Sequence, residues 1–212
     1  IIRKNQVKVN GKKTKSSYRV QEKDIIEIFN IEKVKKTEKN LITQYIPSNT
    51  EREKYDDFII ENNENFIVIN KPAGIAVQSG TKSFKNVVDT LRETKYFNDS
   101  KPFIVHRLDK ETSGILIVAK TREYAQLFTS LFRIRKMHKT YLAVVYGEVS
   151  KEKKVLEDDL VLYEKERKIV QKATSYIKIL KSNSEYSLLE LRPITGRKHQ
   201  LRKQLYNIGN SI

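Results

Sequence analysis

The chain has 212 residues, 38% of them hydrophobic, enough for one good core with a small appended unit. Lysine and arginine number 42 against 26 acidic residues, and the net charge of +16 points to a polyanionic partner, nucleic acid first and an anionic membrane second. The absence of cysteine excludes disulfides and thiolate metal sites. No run approaches the roughly 20 apolar residues of a membrane span and these residues show no signal-peptide pattern; a cytoplasmic protein is expected.

The first 20 residues hold seven Lys or Arg and no acid. Val7-Lys8-Val9-Asn10-Gly11-Lys12-Lys13 alternates up to an Asn-Gly turn signal, and Tyr18-Arg19-Val20 leads to Asp24-Ile25-Ile26-Glu27-Ile28, so residues 1–30 read as strand, turn, strand. Residues 31–56 are polar and aperiodic, which predicts a linker. A catalytic domain is expected over 57–212. Phe66–Asn70 is a buried strand stopped by Lys71-Pro72-Ala73-Gly74. Val87–Tyr96 is helix-like and Ile115–Val118 a second buried strand. Tyr124, Leu127, Phe128, Leu131 and Phe132 repeat at helical spacing and predict an amphipathic helix. Tyr141–Tyr146, Ser175–Leu180 and Ser187–Leu191 read as strands. After Pro193, Thr195 is the expected N-cap of a helix carrying Leu201, Leu205 and Ile208. Many strands with few helices predict an α+β fold.

Four segments carry the chemistry. Asn70-Lys71-Pro72-Ala73-Gly74 is by itself an ordinary turn. His106-Arg107-Leu108-Asp109-Lys110-Glu111-Thr112-Ser113-Gly114 sets the Asp109 carboxylate beside two basic residues, ahead of a tight turn and an apolar strand. A carboxylate that stays ionised and reactive at neutral pH needs such a neighbourhood. A kinase catalytic loop is ruled out, because the leucine precedes the aspartate and neither a glycine-rich phosphate loop nor Asp-Phe-Gly is present. A glycosidase needs a second carboxylate, and nothing positions Glu111 as one. Lys139-Thr140-Tyr141-Leu142-Ala143 opens a strand with an aromatic, while Arg133, Arg135, Lys136 and Lys139 supply phosphate contacts. Leu191-Arg192-Pro193-Ile194-Thr195-Gly196-Arg197-Lys198-His199-Gln200-Leu201-Arg202 reads as a capped basic helix. His106, His138 and His199 lack metal-site spacing, and no metal is expected.

In this order, across Asn70 to Ile212, the four segments resemble the signature of pseudouridine synthases of the large-subunit ribosomal RNA type. Gly74-Ile75-Ala76-Val77 and Ser83-Phe84 bring the match closest to the C type. The resemblance implies isomerisation of uridine to pseudouridine in RNA, most naturally 23S ribosomal RNA, by a monomeric enzyme without cofactor. It makes Asp109 the catalytic carboxylate, leaving open whether it attacks C1′ or removes a sugar proton. Tyr141 would stack on the extracted base and take part in removing the C5 proton. Arg107 would enter the RNA helix in place of the flipped nucleotide. Arg197, or alternatively Arg202, would pair with the Asp109 carboxylate. Lys71 and His106 join the RNA-binding set, with Lys71 also supporting the catalytic loop. Residues 1–30 resemble the second half of an S4-type RNA-binding module. Gln78 and Lys198 depart from the histidine and the Ser or Thr common at those positions; neither is catalytic in the motif. The start at Ile1 and the stop at Ile212 predict an excerpt of a longer chain. The competing reading is a non-catalytic RNA-binding or ribosome-assembly protein on the same fold, which would have no use for Asp109 and Tyr141 at this spacing.

Overall fold

The computed structural model describes residues 7–15, 17–29, 45–80, 84–98, 100–164 and 167–212. They fall into two compact units, residues 1–44 and 45–212. Ser83 and the stretch 31–44 of the expected linker lie outside the described residues. Among the described residues, no helix is long and apolar enough to cross a membrane.

The first unit is a small antiparallel sheet of β1 (Val7–Val9), β2 (Lys12–Lys13) and β3 (Ile26–Ile28), in the order β2-β1-β3. Asn10 and Gly11 have φ of 50 and 73, as a two-residue hairpin turn with the strands' own twist demands. The Asn10 side chain then ties the turn to the third strand. Its amide donates to Asp24 Oδ1 at 2.7 Å and its oxygen accepts from the Ile25 N–H at 2.9 Å. Asp24 Oδ2 also accepts from the Tyr18 hydroxyl and the Gln21 N–H, both at 2.9 Å. These hydrogen bonds, the Gln21 backbone first, hold the Asp24 carboxyl below its ordinary range.

The second unit begins before the expected boundary at 57. Ser48 and Glu51 form a capping box on α1 (Asn49–Glu53), and Tyr55 is buried at 2% exposure in the core. The polar texture of 45–56 therefore belongs to a capped surface helix with one aromatic anchor, not to a linker. Two four-stranded antiparallel sheets follow. The first runs β4-β5-β7-β6, from β4 (Ile59–Asn62), β5 (Phe66–Lys71), β6 (Phe103–Ile104) and β7 (Gly114–Ala119). Its inward residues Ile67, Ile69, Leu116 and Val118 pack with Val77, Leu108, and Val87 and Leu91 of α2 (Val87–Arg92). The helix α2 is shorter than the pattern Val87–Tyr96 suggests, because the chain turns at Thr94 to bury Phe97.

The second sheet runs β8-β11-β10-β9, from β8 (Tyr141–Tyr146), β9 (Val155–Glu164), β10 (Arg167–Ser182) and β11 (Tyr186–Pro193). Ala143, Val145, Leu156, Ile177, Leu189 and Leu191 form its core with Leu205 of α4 (Gln200–Asn207). Between the sheets in sequence, α3 (Arg122–Arg133) takes Thr121 as N-cap and carries the expected apolar stripe. The stripe is only half-buried, and Leu127 is 48% exposed. Tyr141 packs against both cores, which puts the head of β8 where the two sheets meet.

Candidate active site

The Asp109 loop is fixed from below before its side chain is considered. Leu108 is buried in the first core. Strand alternation along β5 sends Ile67, Ile69 and Lys71 to the same inward side, and all three are fully buried. The Lys71 ammonium donates to the carbonyls of Pro72 and Ile75 at 2.8 Å and of Lys110 at 3.2 Å. The Lys110 carbonyl also accepts the Gly74 N–H at 2.9 Å, and Gly74 holds φ +84, which a side chain would strain. Thr112 N–H closes the turn on the Asp109 carbonyl at 3.1 Å. Burial pushes the Lys71 ammonium down, with Glu111 and then Asp109 opposing. Lys71 therefore cannot reach RNA; of the two roles expected of it, only loop support survives, because its three donors are spent on carbonyls.

His106 is corrected in the same way. Its Nε2 accepts the Ile117 N–H of β7 at 2.9 Å, and its ring lies 4.7 Å from that of Phe132. Burial, and then the Lys139 charge, push the imidazole down to about 4. It is a neutral link between the loop and β7, with Nε2 committed to the strand backbone. Of the two basic neighbours of Asp109 in sequence, Arg107 and Lys110 are both exposed, and Lys110 faces Glu111 in solvent. Sequence adjacency to Asp109 thus brings neither cation to the carboxylate. Arg107 remains free to meet RNA.

The second half of the site comes from the loop after β11. Thr195 does not cap α4. Its buried hydroxyl accepts the Thr174 N–H at 3.0 Å and donates to Gln200 Oε1 at 2.8 Å. Gln200 Oε1 also accepts the Arg197 N–H at 2.9 Å, and its amide donates to Thr174 O and Ser175 Oγ at 3.1 and 2.9 Å. Ser175 Oγ donates onward to Gln204 Oε1 at 2.6 Å, whose amide reaches the carbonyls of Leu156 and Ala173 at 3.0 and 3.2 Å. Gln200 and Gln204, one turn apart on α4, thus weld the loop to β9 and β10 with every polar group paired. Neither residue stands out in the sequence, where their i, i+4 spacing beside Leu201 and Leu205 is the available signal.

Asp109 meets that loop through His199. The carboxylate Oδ2 accepts from His199 Nδ1 at 2.7 Å, across 90 residues of chain. Neither expected arginine is there. Arg197 Nε donates instead to the Lys172 carbonyl of β10 at 3.1 Å, because the tethered 195–200 loop turns its side chain back along the sheet. Arg202 lines a cavity of about 710 Å³ with His199, Asp159, Val161, Lys203 and Tyr206. Among the described residues no lysine or arginine forms an ion pair with Asp109.

Tyr141 stands beside this pair. Burial, and then the Asp109 charge, push its phenol up, so the hydroxyl is a hydrogen-bond donor rather than a phenolate at neutral pH. The chain leaving α3 exposes Arg133, Arg135 and Lys136, with Arg135 in the left-handed region at φ 60. Lys139 is half-buried, and burial followed by the Arg135 charge pushes its ammonium down. Its Nζ comes within 3.8 Å of where a Cβ on Gly196 would stand. An aspartate, a neutral phenol and an imidazole thus converge from both sheets, with the Lys139 ammonium against the Gly196 loop. Such a site can hold an anionic substrate and present it with one oriented carboxylate.

Residues 65–207 match the family model described as RNA pseudouridylate synthase. The ribosomal large subunit pseudouridine synthase C of Rickettsia bellii is 36% identical, over all of this chain and 73% of that protein. The protein of the same name from Vibrio vulnificus is 30% identical, over all of this chain and 68% of its own length. Among solved structures, Human RNA Pseudouridylate Synthase Domain Containing 4 superposes with a TM-score of 0.64 at 26% identity, over 77% of this chain and 69% of that one.

Proposed function

Because the chain belongs to the RNA pseudouridylate synthase family and is an RNA uridine isomerase, we propose that it acts on large-subunit ribosomal RNA with Asp109 as its catalytic carboxylate. The reaction breaks the N1–C1′ bond of uridine, turns the uracil, joins C5 to C1′, and moves a proton from C5 to the solvent pool while N1 gains one. Atoms and electrons balance without an oxidant or a carried group, so we assign no cofactor to it. The names of the relatives support ribosomal RNA as substrate.

The observation that carries the assignment is the Asp109 carboxylate itself. Its backbone is pinned through Lys71, Gly74 and Thr112, and its Oδ2 is held by His199. A carboxylate held in one place beside a stacking surface is what the detached sugar and base require, since neither can be allowed to diffuse away. In this reading Tyr141 presents its ring to the flipped uracil and its hydroxyl as donor. Arg107 fills the gap in the RNA stack, and Arg133, Arg135, Lys136 and Lys139 meet phosphates. The basic N-terminal sheet, with Lys12, Lys13 and Lys15 exposed, adds phosphate contacts of its own.

Asp109→Asn tests the assignment. It keeps size and hydrogen bonding but removes charge and nucleophile. Tritium release from RNA labelled at uridine C5 should vanish while RNA binding persists. Turnover within tenfold of the unaltered protein would remove Asp109 from the mechanism.

A further inference from the structure

We infer that His199 is the positioning residue of Asp109: it sets the direction of the carboxylate, and the left-handed backbone at the head of α4 exists to aim it. The inference rests on the catalytic assignment of Asp109 and adds the group that orients it. The backbone of the Asp109 loop is fixed, but that fixes only where the side chain starts. The carboxylate can still rotate, and among the described residues its one hydrogen-bond partner is His199 Nδ1 at 2.7 Å. That is the short range of a charge-assisted hydrogen bond. With Oδ2 engaged, Oδ1 is the oxygen left to face substrate.

The backbone of His199 points the same way. Three helices of this unit are capped by their preceding side chain: Ser48 accepts from Glu51 N, Asn86 from Asp89 N and Thr121 from Tyr124 N. His199 precedes α4 and makes no side-chain cap. It sits instead at φ 53, ψ 33, a region that residues bearing a Cβ disfavour. Its imidazole is turned from the helix toward the other sheet. The conformation is held by its neighbour, because Gln200 binds Thr195, Arg197, Thr174 and Ser175 at once. Backbone strain at one residue, over-determined by a buried network and ending on a reactive carboxylate, is strain put to use. The buried glutamine network of the second sheet is thereby coupled to the catalytic loop of the first.

Three substitutions separate donor from backbone. His199→Asn keeps a donor at the δ position and tolerates the left-handed region. His199→Gly keeps that backbone but has no donor, and His199→Ala has neither. The readouts are the single-turnover rate of tritium release at saturating RNA and, separately, the RNA dissociation constant. The Gly variant should lose on the order of 10²-fold in rate, as for a reacting group out of line, with RNA affinity retained. The Asn variant should recover most of that rate. A Gly variant as fast as the unaltered protein would overturn the inference, as would an Asn variant no faster than Gly at equal thermal stability. If Ala fails to fold, the Gly and Asn pair still decides. Asp109→Asn, measured alongside, separates the two readings. If it is active, the catalytic assignment falls; if it is inert while His199→Gly is fast, only the role of His199 falls.

Discussion

His106 should make the stability of the catalytic unit depend on pH below neutrality. Its imidazole is held at about 4 in the folded protein against an ordinary value of 6.5, first by burial and then by the Lys139 charge. Between those two values the unfolded chain binds the extra proton and the folded protein does not. Stability therefore rises with pH through this window: the contribution is whole above 6.5 and fades as pH falls toward 4. The gap corresponds to about 3 kcal/mol in full, and about 2 kcal/mol of it is lost between pH 7 and pH 5. The structural cause is specific. Nε2 accepts the Ile117 N–H at 2.9 Å, and a protonated ring would set donor against donor there. His106→Gln retains a side-chain carbonyl acceptor that does not titrate in this range. Urea unfolding followed by tyrosine fluorescence, at pH 7 and pH 5 and constant ionic strength, compares the two proteins; the chain has 11 Tyr and no Trp. The unaltered protein should lose about 2 kcal/mol more than the Gln variant over this interval. Carboxylates titrate in both and cancel. An equal loss in both proteins would refute the reasoning, and would mean that the His106 ring is free to protonate in the fold.

Lys71→Met should destabilise the catalytic unit by about 2–4 kcal/mol, because three carbonyls lose their buried donor, and chemical denaturation measures it. Tritium release by this variant should fall more than its RNA affinity does. Tyr141→Phe should bind RNA normally and turn over slowly if the hydroxyl acts on the base, whereas Tyr141→Ala should also bind less well. A Phe variant as fast as the unaltered protein would leave Tyr141 as a stacking surface alone. Replacing Lys8, Lys12, Lys13 and Lys15 with Gln should lower the log–log salt slope of RNA binding by roughly 0.7–0.9 for each phosphate that is no longer neutralised. The single-turnover rate on saturating RNA should hold, and an unchanged slope would mean that the N-terminal charge touches no phosphate.

The α+β class and most of the elements are legible from local pattern, for a physical reason. In β5, β7, β8 and β11 the apolar residues alternate or run together, so burial itself writes the strand into the sequence. The stripe of α3 does the same at helical spacing. By contrast, β9 leaves no such trace: among its described residues only Leu156 and Leu160 are buried, and Asp158 and Asp159 break the alternation. The long β10 shows only its inner half for the same reason, since its first residues are mostly exposed.

For the site, sequence alone marks Asp109 and Tyr141 as the residues to bring together. Which groups surround the carboxylate is a different matter. Adjacent cations suggest Arg107 and Lys110, and motif resemblance suggests Arg197 or Arg202, yet the chain folds His199 onto Oδ2 across 90 residues. Local propensity cannot choose among them, because the choice lies in the direction of each side chain after two sheets have packed. Thr195, a good cap by composition, is drawn instead into the Gln200 network, and the helix starts later on a left-handed histidine. Lys71 lies between these cases. Its inward parity follows from Ile67 and Ile69, but three carbonyls converging on one buried ammonium exist only once the Asp109 loop has closed over β5. Periodicity records what each residue does to water, and so determines the elements; a hydrogen bond between distant loops is decided only by tertiary packing.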